Sequence, residues 1–463
     1  MRRLSSASCR EIDRGVISVM RRRVRHVHST LLSTLNLVSF GRSHARHEST
    51  AAAVAKETKR SDFQGRLKGG PGLDYFTSQS RKAKAMPDRK AEEGEVMDSN
   101  SSKTEVQPYG GGMSLEEMRA VIDRLKQEDN DSSILEDSHK RFHNYLRISL
   151  TERCNLRCLY CMPEDGVDLQ PANKLLSTEE IVRIASLFAA QGVDKIRLTG
   201  GEPLIRQDLV EVVRRLCEIE GIKHVGLTTN AITLARKIKD LKDAGLTHIN
   251  VSLDTLDPKR FAEITRRNGL AKVMQGIDAA LEEGYGGRLK INCVVMRNIN
   301  EDELVGFVEA GKNRPIDIRF IEWMPFDDNG WNAGRFFSYA DMLKKIRASH
   351  PGLDRLQDEC NDTTKWWRVP SHEGRLGFIT SMSKNFCGTC NRLRITSDGN
   401  LKVCLFGDES LSLRDALRGG FSEEDMGLLV KHAVRGKKKE LGGHGDMHGI
   451  AMMPNRPMTL IGG

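Results

Sequence analysis

From residue 144 onward, short runs of β-branched and aliphatic residues alternate with longer amphipathic stretches. The runs are YLRISL (145–150), KIRLT (195–199), HVGLTT (224–229), HINVSLD (248–254), KINCVVM (290–296) and DIRFIEW (317–323). Each has strand length and the residue types that suit a pleated surface. Between them, segments 178–190, 207–219, 234–243, 271–283 and 302–312 repeat apolar residues at helical spacing. This alternation predicts parallel strands with helices outside them. Six units are too few to close a barrel, so the pattern predicts an α/β fold, a partial (β/α)6 TIM-like barrel over 138–365. Polar residues gather near the strands' C-terminal ends, where parallel barrels place their sites. After residue 365 the runs RVP, GFITS, RLRITS and LKVCLF predict short strands in a cysteine-bearing C-terminal region, 366–463.

Upstream the pattern dissolves. Residues 51–137 are rich in Lys, Glu, Ser and Gly, with GGPG at 69–72 and GGG at 110–112, and read as a disordered linker. One helix is predicted there, from Ser114 to Gln127, with Ser114 and Glu117 in capping-box positions. Residues 1–50 have the composition of an organellar transit peptide, with an amphipathic stretch from Arg14 to Arg25; a disordered basic tail is the alternative. The arginine density favours the mitochondrion, and hence the matrix.

Charge sharpens this division. The chain has 463 residues, 72 basic and 63 acidic, for a net +9. Residues 1–50 hold ten arginines, no lysine and three acids, a net +7, which leaves +2 for the other 413. A nearly neutral body argues against a nucleic-acid partner. No apolar run approaches the ~18 residues of a membrane-spanning helix, so no membrane role is expected.

Six of the ten cysteines fall into two groups. Cys154, Cys158 and Cys161 follow the first strand with the spacing C-x3-C-x2-C. Three thiolates are too few to close a tetrahedral zinc site, but a four-iron cluster on three cysteines keeps one iron open. A zinc knuckle with a distant fourth ligand is the alternative. About forty residues on, LTGGEPL (198–204) places two glycines at a strand end, where a ligand can approach the backbone, and Glu202 can accept from an ammonium group. Cys387, Cys390 and Cys404 form the second group, C-x2-C-x13-C, again three thiols. Zinc stays open there too, although nothing in the spacing selects His432, His444 or His448 as a fourth ligand. Arg392 and Arg394 alternate on the next strand, so both guanidiniums point to one face and suit phosphate.

These motifs, with FCGTCNRLR and the terminal Gly462-Gly463, closely resemble the GTP 3′,8-cyclase family, the MoaA-type radical S-adenosylmethionine (SAM) enzymes that begin molybdenum-cofactor biosynthesis. The resemblance covers 138–463. It implies two [4Fe-4S] clusters, one on Cys154, Cys158 and Cys161 and one on Cys387, Cys390 and Cys404. It implies SAM contacts from Tyr160, Gly201, Glu202, Ser252 and Met324. It implies GTP contacts from Arg147, Arg197, Thr228, Lys290, Arg392 and Arg394, with the backbone near Leu393. Catalytic roles would fall to Arg147, Arg392, Arg394, Gly462 and Gly463, with the tail reaching into the site. The reaction implied is SAM cleavage to methionine and a 5′-deoxyadenosyl radical, hydrogen removal from C3′ of GTP, and closure onto C8 to give 3′,8-cyclo-7,8-dihydro-GTP. The product would pass to cyclic pyranopterin monophosphate synthase. The family also suggests a homodimer, and the electron donor is left unnamed. Competing readings are a peptide-maturing radical SAM enzyme, which would need a longer C-terminal cysteine array, and a non-catalytic iron–sulfur carrier, which would need neither GGEP nor an arginine pair.

Overall fold

The computed structural model describes residues 113–127, 132–327 and 329–462. The transit-peptide reading, the linker up to residue 112 and Gly463 lie outside the described residues.

Twelve strands form one sheet: β1 (Tyr145–Ser149), β2 (Lys195–Thr199), β3 (His224–Thr229), β4 (His248–Ser252), β5 (Leu289–Val295), β6 (Asp317–Glu322), β7 (Asp354–Arg355), β8 (Thr364–Arg368), β9 (Leu376–Ile379), β10 (Arg392–Ile395), β11 (Asn400–Lys402) and β12 (Leu411–Ser412). Their order is β12-β11-β10-β1-β2-β3-β4-β5-β6-β9-β8-β7. β1 to β6 run in sequence order, each parallel to the next, as the six βα units predict. The C-terminal region is built into the same sheet. β10 adds parallel to β1, and β9 adds parallel to β6. Antiparallel strands then finish both edges.

The parallel strands alternate strictly in polarity. Leu146, Ile148, Ile196, Leu198, Val225, Leu227, Ile249 and Val251 are buried in one core with Ile184, Phe188, Val212, Ile238 and Ile277 from the helices. Side chains alternate across a strand, so the intervening residues share the other face. They are Tyr145, Arg147 and Ser149 on β1, Lys195, Arg197 and Thr199 on β2, and His224, Gly226 and Thr228 on β3. Parallel sheets covered by helices on both faces are apolar throughout; here one face is a polar wall.

Between β1 and β6 the α-helices match the predicted segments within a few residues, with one addition, Pro258–Thr265, between β4 and β5; the α-helices after β6, among them Tyr339–Ser349 and Glu423–Arg435, were not predicted. Helix Thr178–Ala190 opens with a complete capping box, Glu180 N–H donating to Ser177 Oγ at 3.2 Å and Ser177 N–H to Glu180 Oε2 at 2.8 Å. Ser177→Ala is expected to cost about 1 kcal/mol in urea unfolding, because it strands a helix-terminal donor.

The folded body begins upstream of residue 138, which corrects part of the linker assignment. Helix Leu115–Gln127 has the reciprocal Ser114–Glu117 bonds expected of it, and buries Met118 and Ile122. Leu135 and Asp137 are buried as well. Few apolar residues lie here, but they fall on one helical face, and that suffices for docking.

Candidate functional site

The polar wall is organised by strand register. Arg147 on β1 pairs with Arg394 on β10 and with Arg197 on β2, and Arg197 pairs with Gly226 on β3. Register partners on neighbouring parallel strands share a face, so three arginines stand in one row across three strands. Gly226 makes room, since a Cβ there would lie 2.8 Å from Arg197 Cζ. Arg197 is held by Nε donating to Tyr145 Oη at 2.9 Å and Nη1 donating to the Leu227 carbonyl at 3.2 Å. Arg392 lies one layer below, its Nη2 donating to the Asn361 carbonyl at 2.7 Å. Leu393 points to the opposite, fully buried face, so only its backbone borders this wall.

Burial and the Arg394 charge hold the Arg147 guanidinium well below its usual range. Burial brings Arg394 down to about 10. Burial alone would raise the Tyr145 phenol, but Arg197, Arg147 and Lys195 outweigh it and bring it to about 7. Such a field asks for an anion. Arg394 Nη1, Ser149 Oγ and Asn250 Oδ1, all on this wall, are buried without a hydrogen-bond partner, and buried polar atoms rarely stay so.

Thr228 and Lys290 sit in the next layer, each in register with Asn250. Lys290 is less free than the arginines. Its Nζ lies 3.7 Å from Asp317 Oδ2 and 5.1 Å from the Trp366 ring centroid, and burial lowers it to about 8. Sequence reading missed Tyr145, Lys195 and Arg319, which stand on the same face. Arg319 is half-buried, its Nε donating to Asn292 Oδ1 at 2.9 Å. The signal was present for Tyr145 and Lys195, which alternate with Arg147 on β1 and Arg197 on β2; no candidate on β6 pointed to Arg319.

The first cysteine loop leaves β1 and is pinned by the added helix. Arg157 and Leu159 N–H groups donate to the carbonyls of Thr265 and Ile264, both at 2.9 Å. Burial and neighbouring thiols raise Cys158 well above the ordinary range and Cys161 to about 12. Burial also raises Cys154, whose sulfur accepts from Leu156 N–H at 3.4 Å. Converging thiols that resist ionisation together suit a cationic inorganic core, which deprotonates its ligands. Among the described residues no three His, Cys, Asp or Glu side chains are gathered as a group for a single metal ion.

The residues expected to contact SAM surround this loop unequally. Tyr160 is buried and its hydroxyl donates to Asp254 Oδ2 at 2.5 Å, so that group is committed inside the protein. The glycines of GGEP serve a protein contact. Gly201 N–H donates to the Thr151 carbonyl at 2.7 Å, and a Cβ on Gly201 would lie 2.3 Å from the Arg153 carbonyl oxygen. Glu202 is held by donors from two neighbouring segments. It accepts from Thr229 Oγ1 at 2.6 Å, Asn230 N–H at 2.7 Å and Leu204 N–H at 3.0 Å. Burial raises it to about 7 against these donors. The carboxyl therefore braces the ends of β2 and β3, and three donors leave one of its roughly four acceptor positions unused. Ser252 is exposed at the end of β4.

Met324 packs in an apolar group with Phe326 and Phe406 that also includes Cys387 and Cys404, on the side of the second triplet. There, Cys387 is raised by burial, and its sulfur accepts from Leu441 N–H at 3.4 Å. Burial would raise Cys390 too, but Lys437 and Arg392 outweigh it and hold the thiol below its ordinary value. The tail joins the two sites. Met458 packs against the apolar group around Tyr160 and Cys161 and also against the one around Cys387 and Cys404. Gly462 then lies at the C-terminal ends of β1 and β2, its carbonyl accepting from Arg147 Nη2 at 3.3 Å.

Two family models match in tandem, the Radical SAM superfamily over residues 148–310 and Molybdenum Cofactor Synthesis C over 316–442. Molybdenum cofactor biosynthesis protein 1 of Mus musculus is 57% identical over 331 residues, covering 72% of this chain and 51% of that protein. The mitochondrial GTP 3′,8-cyclase of Arabidopsis thaliana is 50% identical over 343 residues, covering 74% and 86%. The GTP 3′,8-cyclase of Pelotomaculum thermopropionicum is 43% identical over 331 residues, covering 71% of this chain and 100% of that protein. The chain spans about half the length of the animal relatives it matches. With similarity along the whole of a bacterial GTP 3′,8-cyclase and both family models in order, the chain belongs to the GTP 3′,8-cyclase family of the radical SAM superfamily.

Proposed function

We propose that this chain converts GTP to 3′,8-cyclo-7,8-dihydro-GTP, the first step of molybdenum-cofactor biosynthesis. The observation that carries the reading is the in-register row Arg394–Arg147–Arg197, with a partnerless Arg394 Nη1. A triphosphate offsets that charge and supplies acceptors for planar guanidinium forks. Arg392 and Lys290 extend the clamp, Thr228 lines it, and the backbone at Leu393 borders it.

Cys154, Cys158 and Cys161 would hold the [4Fe-4S] cluster that comes with the superfamily, with SAM beside Tyr160, Gly201, Glu202, Ser252 and Met324. When bound, the cluster and SAM supply a 5′-deoxyadenosyl radical for hydrogen abstraction. Cys387, Cys390 and Cys404 would hold a second [4Fe-4S] cluster facing the base, with Met324 against it. The chain's own contribution is placement. The arginine row fixes the phosphates on a rigid sheet, and the buried tail excludes water above them, where a radical would attack the nearest bond. The mitochondrial name of the Arabidopsis relative and the arginine-rich residues 1–50 support action in the mitochondrial matrix. As the family resemblance implies, the product would pass to cyclic pyranopterin monophosphate synthase.

The test is anaerobic reconstitution followed by SAM, a strong reductant and GTP. Expected are about eight irons per chain and 5′-deoxyadenosine that forms only when GTP is present. Zinc in place of iron, or 5′-deoxyadenosine formation indifferent to GTP, would defeat the proposal.

A further inference from the structure

We infer that Lys437 is a positioning residue of the second cysteine site, a buried ammonium that donates a standing hydrogen bond to the Cys390 sulfur and biases a cluster held there toward its reduced form. This rests on the reading that Cys387, Cys390 and Cys404 carry an iron–sulfur cluster.

Lys437 is 4% exposed. Its Nζ has three N–H bonds and meets three acceptors: His143 Nε2 at 2.9 Å, the Arg392 carbonyl at 3.0 Å and Cys390 Sγ at 3.4 Å. The histidine is oriented from behind. His143 is fully buried, and its Nδ1 lies 2.9 Å from the Leu135 carbonyl. A carbonyl only accepts, so Nδ1 carries the ring proton, and Nε2 presents a lone pair to the ammonium. Among the described residues no carboxylate is paired with Lys437. A buried cation without an anionic partner is costly; the anion available to it is the Cys390 thiolate.

The same upstream segment grips the rest of the site. Arg141 donates from Nη1 to the carbonyls of Cys387 at 2.8 Å and Lys439 at 2.6 Å, and from Nη2 to that of Lys438 at 2.8 Å. Its Nε is anchored on Asp137 Oδ2 at 2.6 Å. Residues 135–143 therefore fix both the cysteine loop and the segment bearing Lys437. Hydrogen bonds to cluster sulfurs and nearby charge set cluster potentials, and a fixed cation favours the state with the extra electron.

The test uses the full chain with Cys154, Cys158 and Cys161 replaced by alanine, so that reconstituted iron sits at the second site alone. The reduced cluster is followed by electron paramagnetic resonance during potentiometric titration. Lys437→Met is expected to move the midpoint to more negative potential and to alter the g-values. Lys437→Arg, which keeps the charge, should move it less. Identical midpoints and spectra in Lys437→Met overturn the inference. Should Lys437→Met take up no iron, His143→Gln decides, since it keeps the lysine but removes its anchor: a smaller shift of the same sign supports the inference, and no shift overturns it. A parent protein that binds no iron defeats the second-cluster reading itself, and the inference falls with it.

Discussion

Arg147→Met is expected to move stability and ligand response in opposite directions. The guanidinium stands between Arg394 and Arg197 in one register layer, and burial with their charges disfavours its cationic form. Methionine keeps most of the volume and removes the repulsion, so the GTP-free protein should unfold at higher urea. GTP at one hundred times its Kd should stabilise the unaltered protein by about 2.7 kcal/mol. A roughly hundredfold loss of affinity in the variant would leave about 0.4 kcal/mol at the same concentration. Cyclisation should fall by roughly 10²-fold, the cost of misplacing a substrate by about 1 Å where orientation carries the reaction. A variant that loses stability yet keeps the full GTP response would make Arg147 a structural residue and remove the centre of the clamp.

That row could be half-read from sequence. Alternation within RLRI places Arg392 and Arg394 together, and YLRIS places Arg147 with Tyr145, because a strand's period is local. That β10 lies against β1, more than two hundred residues away in sequence, is a matter of long-range pairing, and no local pattern reports it. The six βα units were legible for the same local reason, while β9 and β10 read only as short strands. Cysteine spacing identified both triplets. It could not show that the helix Pro258–Thr265 pins the first loop, or that Asp137, Arg141 and His143 grip the second, since those contacts join segments that carry no motif. Glu202 shows the converse. The motif GGEP around it is legible in sequence, but only the three donors around the carboxyl show that it holds the turn together. Net charge reports little of this: a nearly neutral chain can still concentrate arginines on one wall.

Gly462→Ala is expected to abolish cyclisation while leaving iron content and SAM binding unchanged. The residue has φ of +78°, and a Cβ would lie 2.3 Å from Thr199 Oγ1 and 3.0 Å from Ser149 Cβ. Left-handed backbone costs a non-glycine residue about 1–2 kcal/mol, and the clash adds to it. Thr199 and Ser149 end β2 and β1 on the rigid sheet, so the tail must yield. Its withdrawal would take the carbonyl from Arg147 and open the mouth above the arginine row. Displacement by about 1 Å costs on the order of 10² in rate where orientation carries catalysis, and loss of the whole tail should cost more. Gly445→Ala separates strain from clash. Its φ is +80°, but its Cβ would meet nothing within 4 Å. It should retain most cyclisation, read as product formed per 5′-deoxyadenosine released. An equal loss of activity in the two variants would mean that backbone strain carries the effect and the seat between β1 and β2 does not. A fully active Gly462→Ala would place the tail outside the reaction altogether.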